Sequence, residues 1–378
     1  SVVDSRGRES VIAYDKLIIA TGAVAGAPKI AGLHGPDRLT ADDGVHTVRS
    51  VGDTLAVART LQRTEPQTAA IIGGGYVGVE LAEALALRGL SVTLLETLPE
   101  VLPVVDRQIG LLVRGEIEER GVEVLTGTTA RAVNATGKED GRFRVEAMRG
   151  ENALARRVDV VLLASGSSPN AALARSVGAA LGASGAIAVD EGMRTSVAHV
   201  FAAGDCAVTR HRLLGDVYLP YGTTAHRQGR VAGENAAGGS RQFSGTIGAQ
   251  VVKVFDHAVG RTGLLDGSAA AAGFDPLTVR LEADDRSSYY PGSRKVSVGL
   301  TADRRSRRVL GAQFFGHVRS EIASRVDVAS AAIFNGMTVD QIEDLDLSYT
   351  PPLGQVWNPL VLAAQEWQER LWQERVAG

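Results

Sequence analysis

Apolar residues along this chain gather in short runs, most of them closed by glycine, and the character of the runs changes once, near residue 240. From Tyr14 the stretch YDKLIIATGA predicts a short buried strand ending on Thr21-Gly22, after which Pro28 and Gly32 break the chain into a loop. From Thr68 the run TAAIIG predicts another strand. It leads into a glycine-rich turn, a helix over about 76–88 stopped at Gly89, and the strand LSVTLLE. That succession is a βαβ unit. Strand-like and turn-like pieces from Gly121 to Val158, with a polar turn from Gly137 to Gly141, lead into a third apolar run, VDVVLLASGSSPN.

Two of these runs echo each other. Asp15 precedes Gly22 by seven residues in DKLIIATG, and Asp159 precedes Gly166 by seven in DVVLLASG, with a shorter relative, VFAAGD, from Val200 to Asp205. Buried parallel strands resemble one another in general. The repeated small-residue ending favours a duplicated nucleotide-domain architecture. After Gly238-Gly239-Ser240 the pattern becomes VVKVFD, LTVRLEA, KVSVGLTA and VLGAQFFG, which reads as antiparallel strands, the last two joined by a polar turn from Asp303 to Arg308. A helix over about 318–334, closed by Gly336, follows. The chain ends in the proline-rich SYTPPLGQVWNP and a helical stretch with Trp367 and Trp372. Strands followed by helices indicate a separate α+β domain.

Composition narrows the picture. A chain of 378 residues can bury two or three cores, and its 44 glycines suit tight turns and close backbone approaches. A net charge of −3 leaves no basic footprint for nucleic acid. With Cys206 as the single cysteine no intrachain disulfide can form, and a reducing cytoplasm is the expected setting. No apolar run reaches the roughly 18 residues of a membrane span, and the seven histidines show no metal-ligand spacing.

The chemistry-bearing signals sit at the strand ends. GGGYVG places Gly73, Gly75 and Gly78 in GxGxxG spacing: one glycine for the turn, one for the approach of a pyrophosphate, one for helix-on-strand packing. The phosphates then meet a helix N-terminus. Glu96 ends the next strand 23 residues after Gly73, placed to accept ribose hydroxyls. No Arg or Lys follows at once for a 2′-phosphate, so NADH is expected over NADPH. A lone GxGxxG is a weak signal, but here the strand, helix, second strand and acid are all in place. Gly204-Asp205 can hold a polyol hydroxyl, although the same dipeptide often marks only a turn. In PYGTTAHRQGRVAGENAAGG, Thr223 or Thr224 can cap a helix ending at Gly238, whose positive end could face a flavin carrying negative charge.

In this order the motifs resemble the pyridine nucleotide–disulfide oxidoreductase superfamily, and within it the coenzyme A–disulfide reductase and NADH oxidase branch. The resemblance spans nearly the whole chain, from YDKLIIATGA through GGGYVGVELAE, ASGSSPN, VFAAGD, GTTAHRQGRVAGENAAGG, KVFD and YYPG to LSYTPP. It implies an α/β fold with two Rossmann-like dinucleotide-binding domains and a C-terminal α+β dimerisation domain. The expected divisions are 1–48 and 173–243 for the FAD domain, 49–172 for the NAD(P)H domain and 244–378 for dimerisation. The cofactors implied are FAD and NADH. The cofactor-binding positions implied are Thr21, Gly22, Gly73, Gly75, Tyr76, Val77, Gly78, Glu80, Glu96, Gly166, Gly204, Asp205, Gly222, Thr223 and Thr224. Among them Asp205 would hold the FAD ribityl chain, the helix near Thr223 would face the flavin pyrimidine edge, and Tyr76 and Glu80 would lie by the nicotinamide with Tyr76 able to gate it. Tyr290 and Tyr349 would reach the partner subunit's active site in a homodimer and stabilise a thiolate or donate a proton. A tyrosine packed in a core is the alternative for each. The glutathione and lipoamide reductases end in a His-Pro-Thr segment that is not found here.

The same resemblance implies an N-terminal strand, a first GxGxxG for FAD and a redox cysteine, so an N-terminally truncated chain with an incomplete FAD domain is expected. Cys206, beside Asp205, reads as a small buried cysteine rather than the redox thiol. Arg304, Arg305, Arg307 and Arg308 read as a solvated turn rather than a coenzyme A phosphate site, and Glu83, Glu116, Glu118 and Glu119 as exposed or semi-exposed helix-face residues with Glu83 nearer the cofactor. The implied reaction carries hydride from NADH through FAD to coenzyme A disulfide, a persulfide or polysulfide. A reductase of O2 or peroxide and a catalytically incomplete NAD-binding dimer are the two other readings.

Overall fold

Apolar runs that do not alternate bury both faces of a strand, and such runs become the central parallel strands of this molecule. The computed structural model describes residues 1–26, 28–138 and 141–377. It falls into two units, one of Ser1–Val24 with Ser167–Thr246, the other of Ala25–Gly166 with Ile247–Gly378. Residues 139 and 140 of the polar turn expected from Gly137 to Gly141 lie outside the described residues.

In the larger unit five strands form a parallel sheet in the order Val45–Thr47, Val160–Leu163, Thr68–Ile72, Ser91–Leu95 and Glu123–Leu125. Ala70, Ile71, Leu94 and Leu162 are fully buried in it. The chain builds outward from Thr68–Ile72 on one side and then returns to Val160–Leu163 on the other. This reversal of direction opens a crevice beyond the carboxyl ends of the strands. Asp159 fixes the return strand: its Oδ2 accepts from the backbone N–H groups of Gln67 and Thr68, both at 3.0 Å. A three-stranded antiparallel sheet, Asn152–Val158, Gly141–Arg149 and Thr128–Lys138, is inserted before it.

The helix Val51–Thr64 was not foreseen. It begins on a capping box in which Ser50 Oγ accepts from Asp53 N–H at 3.1 Å and Asp53 Oδ2 from Ser50 N–H at 2.8 Å. The Ser-x-x-Asp spacing is the signal that marks it.

The C-terminal part of the larger unit is a five-stranded antiparallel sheet ordered Gln250–Val254, His257–Gly263, Val309–His317, Lys295–Asp303 and Pro276–Asp284. Four of these strands match the expected runs. The fifth, His257–Gly263, lies outside those runs. A Cβ on Gly260 would stand 2.5 Å from Val326 Cγ2, so the glycine lets the helix Ile322–Phe334 lie close on the strand. The helix Pro359–Ala377 seals the other edge of the sheet through Trp367, fully buried, whose Nε1–H donates to Leu277 O at 2.8 Å. The arginine-rich turn is held internally: Arg304 pairs with Asp275 and Glu374, and Arg307 with Asp340.

In the smaller unit Leu17–Ile19 and Val200–Ala202 pair in parallel, and the helix Gly222–Ala236 packs on them. Cys206 is fully buried, its Sγ 3.5 Å from Ile19 O and 3.3 Å from Ala203 O. Among the described residues no helix is long and apolar enough to cross a membrane.

Candidate functional site

The glycine turn of the larger unit follows strand Thr68–Ile72 and opens the helix Tyr76–Ala86. Gly73 has φ +112°, and a Cβ there would meet Ala164 O at 2.4 Å, so no other residue fits. Gly78 lies against the turn itself: a Cβ would stand 1.8 Å from Gly73 O. Gly75 is the opposite case. It caps the helix, with extended backbone at φ −73° and ψ −170°, and a Cβ there would meet nothing within 4 Å. Gly75, as the N-cap, makes no side-chain cap bond. An open mouth of uncapped donors at a helix N-terminus suits an anion.

Glu96, buried at the end of strand Ser91–Leu95, holds this turn in shape. Its Oε2 accepts from Gly74 N–H at 2.6 Å and its Oε1 from Leu98 N–H at 2.8 Å, while Leu102 N–H donates to Gly74 O at 2.8 Å. Gly73, Gly75, Gly78 and Glu96 therefore converge at the carboxyl ends of neighbouring strands. Gly166, three residues beyond Val160–Leu163, accepts from Gly26 N–H at 2.8 Å. Val77, in the first turn of the helix, is exposed.

Tyr76 opens the helix and donates its phenolic hydrogen to Gln250 Oε1 at 2.5 Å. Glu80, one turn on, is an exposed residue whose carboxyl is nevertheless raised above its ordinary range, first by desolvation and then by the charge of Glu83. Glu83 itself is engaged in structure: it pairs with Lys253 and accepts from Phe255 N–H at 2.8 Å.

In the smaller unit Thr21-Gly22 and Gly204-Asp205 each follow the end of one of the paired strands. Thr21 Oγ1 donates to Asn170 O at 2.5 Å, and Asn170 N–H to Gly22 O at 2.9 Å. Gly204 adopts φ +81° and donates its N–H to Gln228 Oε1 at 2.9 Å. Gln228, fully buried, also donates to Val208 O at 3.1 Å, so it links the Gly-Asp turn to the helix Gly222–Ala236. Sequence reasoning did not single it out, although the HRQGR run carries it. The expected cap is corrected: the helix starts at Gly222 with Tyr221 as its N-cap and no side-chain cap bond, so Thr223 and Thr224 lie inside its first turn. Thr224 Oγ1 is buried without a partner among the described residues.

The two expected tyrosines come together in the C-terminal domain around a residue that was not foreseen. Ser287 Oγ lies 3.5 Å from the Tyr349 hydroxyl, Ser287 O accepts from Tyr290 N–H at 2.8 Å, and Ser287 N–H reaches Gly354 O at 3.1 Å. The segments YYPG and SYTPP thus cross on Ser287. Both phenols are partly exposed, at 40% and 44%, rather than packed in a core.

Both halves pass a test of fit. The larger unit offers an uncapped helix mouth, a glycine bare of neighbours and an acid at the second strand end, which suits the pyrophosphate and ribose of a nicotinamide dinucleotide. The smaller unit offers a Gly-Asp turn beside a helix start that lacks a side-chain cap bond and carries a buried hydroxyl with no partner among the described residues, which suits the polar part of a flavin nucleotide. A parallel sheet with a glycine turn, a second strand-end turn with its helix, and an α+β C-terminal domain define a two-dinucleotide oxidoreductase.

Comparison with known proteins places it further. Residues 1–229 match the pyridine nucleotide-disulphide oxidoreductase family and residues 249–360 its dimerisation domain, so the chain belongs to that family, whose characteristic flavin is FAD. It is 34% identical over 365 residues to the CoA-dependent NAD(P)H sulfur oxidoreductase of Pyrococcus furiosus, covering 96% of this chain and 78% of that protein. It is also 34% identical over 371 residues to an NADH oxidase of Methanocaldococcus jannaschii, covering 98% and 79%. A solved NAD-dependent persulfide reductase from A. fulgidus superposes with a TM-score of 0.87 at 36% identity, over 95% of this chain and 64% of that one. The chain therefore spans less than two thirds of that enzyme's length. The matched regions make up 78% and 79% of those two curated proteins, so each relative extends beyond the part that aligns.

Proposed function

We propose that this protein is an FAD-dependent reductase that uses NADH to reduce small disulfides or persulfides, coenzyme A derivatives among them. The observation that carries this reading is the uncapped mouth of helix Tyr76–Ala86 with Glu96 holding the turn below it, in a chain of this family. The names of the P. furiosus and A. fulgidus relatives support a sulfur acceptor. The net reaction is NADH + H+ + RSSR′ → NAD+ + RSH + R′SH. For a persulfide, NADH, a proton and RSSH give NAD+, RSH and hydrogen sulfide. FAD, which Asp205 and the start of helix Gly222–Ala236 would hold, would supply the two-electron carrier between the nicotinamide and the disulfide.

The chain's own residues orient and polarise. The N–H groups of Gly75, Tyr76 and Val77 bind the dinucleotide phosphates, and Glu96 reads the ribose hydroxyls and disfavours a 2′-phosphate. Asp205 and the start of helix Gly222–Ala236, with Thr223 and Thr224, hold the flavin nucleotide and place a positive helix end near its charge. Thr21, Gly22 and Gly166 let the backbone come close at the strand ends, and Glu80 lies along the nicotinamide helix. We assign Tyr349, with Tyr290 and the shared Ser287, to the acceptor side in a homodimer, where a phenol donates a proton to the departing thiolate. A cytoplasmic setting suits the single, buried cysteine.

The test is an anaerobic NADH titration of the FAD-supplied protein, followed by addition of coenzyme A disulfide. Bleaching of the flavin band and release of two thiols per NADH support the reading, and bleaching without thiol release overturns the acceptor. Tyr349→Phe is expected to slow thiol release about 100-fold while leaving flavin bleaching unchanged. A second reading, reduction of O2, is favoured by the M. jannaschii relative named an NADH oxidase. NADH-dependent oxygen uptake without thiol product selects it.

A further inference from the structure

The segment that carries Tyr349 is laced to the residues at the end of strand Pro276–Asp284 and just beyond it. Asp285 is buried, and both of its carboxylate oxygens are engaged. Oδ1 accepts from Arg294 N–H at 3.0 Å and from Arg286 Nε at 3.2 Å, and Oδ2 from Ser320 Oγ at 2.7 Å and from Arg286 Nη2 at 3.2 Å. Burial by itself pushes this carboxyl up, but the bonds from Arg286, Arg294 and Ser320 outweigh it and hold it below the ordinary range, so it is charged. The Arg286 guanidinium is thus gripped at two nitrogens, and its third, Nη1, donates to Pro352 O at 3.1 Å. A planar fork clamped on a carboxylate aims its remaining arm in a fixed direction. Two neutral bonds run beside it, from Ser287 N–H to Gly354 O at 3.1 Å and from Gln355 Nε2 to Asp284 O at 3.2 Å.

The phenol does not place itself. Among the described residues the Tyr349 hydroxyl has one hydrogen-bond partner, Ser287 Oγ at 3.5 Å. That is long for two hydroxyls, which settle at about 2.7–2.8 Å. Tyr349 also lines a cavity of about 440 Å³ with Glu321, Arg325, Val328, Asn358 and Leu360, so the ring has room to turn away. Its position is therefore set by the backbone of its own segment. Residues 350–354 close on themselves, Leu353 N–H and Gly354 N–H donating to Thr350 O at 3.0 and 2.9 Å, so a displacement of Pro352 is passed to the residue beside Thr350. We infer that Arg286 is a positioning residue for Tyr349: clamped by Asp285, it holds the turn at Pro352 and with it the phenol beside Ser287. The inference rests on the reading of Tyr349 as proton donor on the acceptor side, and it adds a residue that neither YYPG nor SYTPP contains.

The test is a double-mutant cycle on the FAD-supplied whole chain, reduced with NADH, mixed anaerobically with coenzyme A disulfide and read by the rate of thiol release. Arg286→Gln leaves Asp285 its bonds from Arg294 and Ser320. It is expected to slow thiol release about 10-fold, the lower end of what a hydrogen bond from a charged donor is worth. Flavin bleaching by NADH should keep the parent's rate. Added to Tyr349→Phe it should slow release no further, because the phenol it positions is gone. Arg286→Lys keeps the charge but lacks the fork, and is expected to be as slow as Arg286→Gln. If Arg286→Gln does not fold, Gln355→Ala cuts a neutral tie of the same segment and carries the same cycle with about a 3-fold loss. These outcomes support positioning. Losses that multiply in the double variant, parental thiol release in Arg286→Gln or Arg286→Lys, or flavin bleaching slowed as much as thiol release overturn it while leaving the role of Tyr349 intact. Parental thiol release in Tyr349→Phe, or a parent that releases no thiol, overturns both.

Discussion

Two glycines three residues apart should fail in opposite ways when given a methyl group. Alanine at Gly78 puts a Cβ 1.8 Å from Gly73 O, whereas carbon-to-oxygen contacts settle at about 3.3–3.6 Å. The helix start or the turn must then move by about 1.5 Å. Neither gives way easily, because the turn is held by Glu96 and Leu102 and the helix by Glu83. Overpacking of this kind costs about 2–3 kcal/mol, offset by about 1 kcal/mol from the better helix propensity of alanine. A net loss near 2 kcal/mol lowers the melting temperature by roughly 4–8 °C in a domain of this size. Alanine at Gly75 meets nothing within 4 Å and needs no unusual backbone. It should cost only about 0.5 kcal/mol, the difference between glycine and alanine as an N-cap. Its methyl nevertheless occupies the space a pyrophosphate needs, so NADH binding should weaken about 10-fold or more. Thermal unfolding and NADH fluorescence titration on the two variants separate these effects. Gly78→Ala melting with the parent, or Gly75→Ala binding NADH like the parent, would refute the reasoning for that position.

Other outcomes follow from single contacts. Glu96→Gln leaves one of the two N–H donors of Gly74 and Leu98 facing an amide hydrogen, so stability should fall by about 1–3 kcal/mol. The ratio of NADPH to NADH affinity should rise with the lost charge, and parallel titrations with both nucleotides check it. His46 is 1% exposed, and neither ring nitrogen has a partner among the described residues. Burial holds its pKa below the ordinary 6.5 despite the nearby charge of Asp53. The unfolded chain then binds the proton first, so the stability linked to this group is present above pH 6.5 and is lost as pH falls through the lower folded value. Melting curves between pH 5 and 8 should show that slope in the parent and lose it in His46→Leu. Trp367→Ala empties a fully buried site and strands Leu277 O, for an expected loss of about 3–5 kcal/mol by denaturant unfolding. A loss below about 1 kcal/mol would mean that the helix Pro359–Ala377 is not sealing the sheet.

Local signals carried the nucleotide half of this protein. The glycine spacing 73/75/78 and the acid at Glu96 are dictated by a turn, a helix mouth and a strand end that lie within 24 residues of one another, so short-range sequence contains the whole motif. The apolar runs likewise marked the parallel strands, because a strand buried on both faces admits little else. The helix Val51–Thr64 was legible in Ser50 and Asp53 and was overlooked, since attention to apolar runs passes over an amphipathic helix with only Val57 and Thr60 buried.

What the tertiary structure alone decided is which distant groups share a contact. No spacing rule brings Gln228 to Gly204, Ser287 to Tyr349, or Gln250 to Tyr76, because those pairs are 24, 62 and 174 residues apart and are joined by the packing of separate elements. Strand His257–Gly263 shows the same limit: its Gly260 makes sense only against Val326, a helix residue more than sixty positions on, and its Gly263 only against Leu310 O. Thr224 is a further case, expected from sequence as a cap and found inside the helix with a buried hydroxyl that has no partner among the described residues. Sequence determines the motif where the interacting groups are neighbours along the chain. Where they are not, the choice of partner belongs to the fold, because only the packing of elements sets which polar group a side chain can reach.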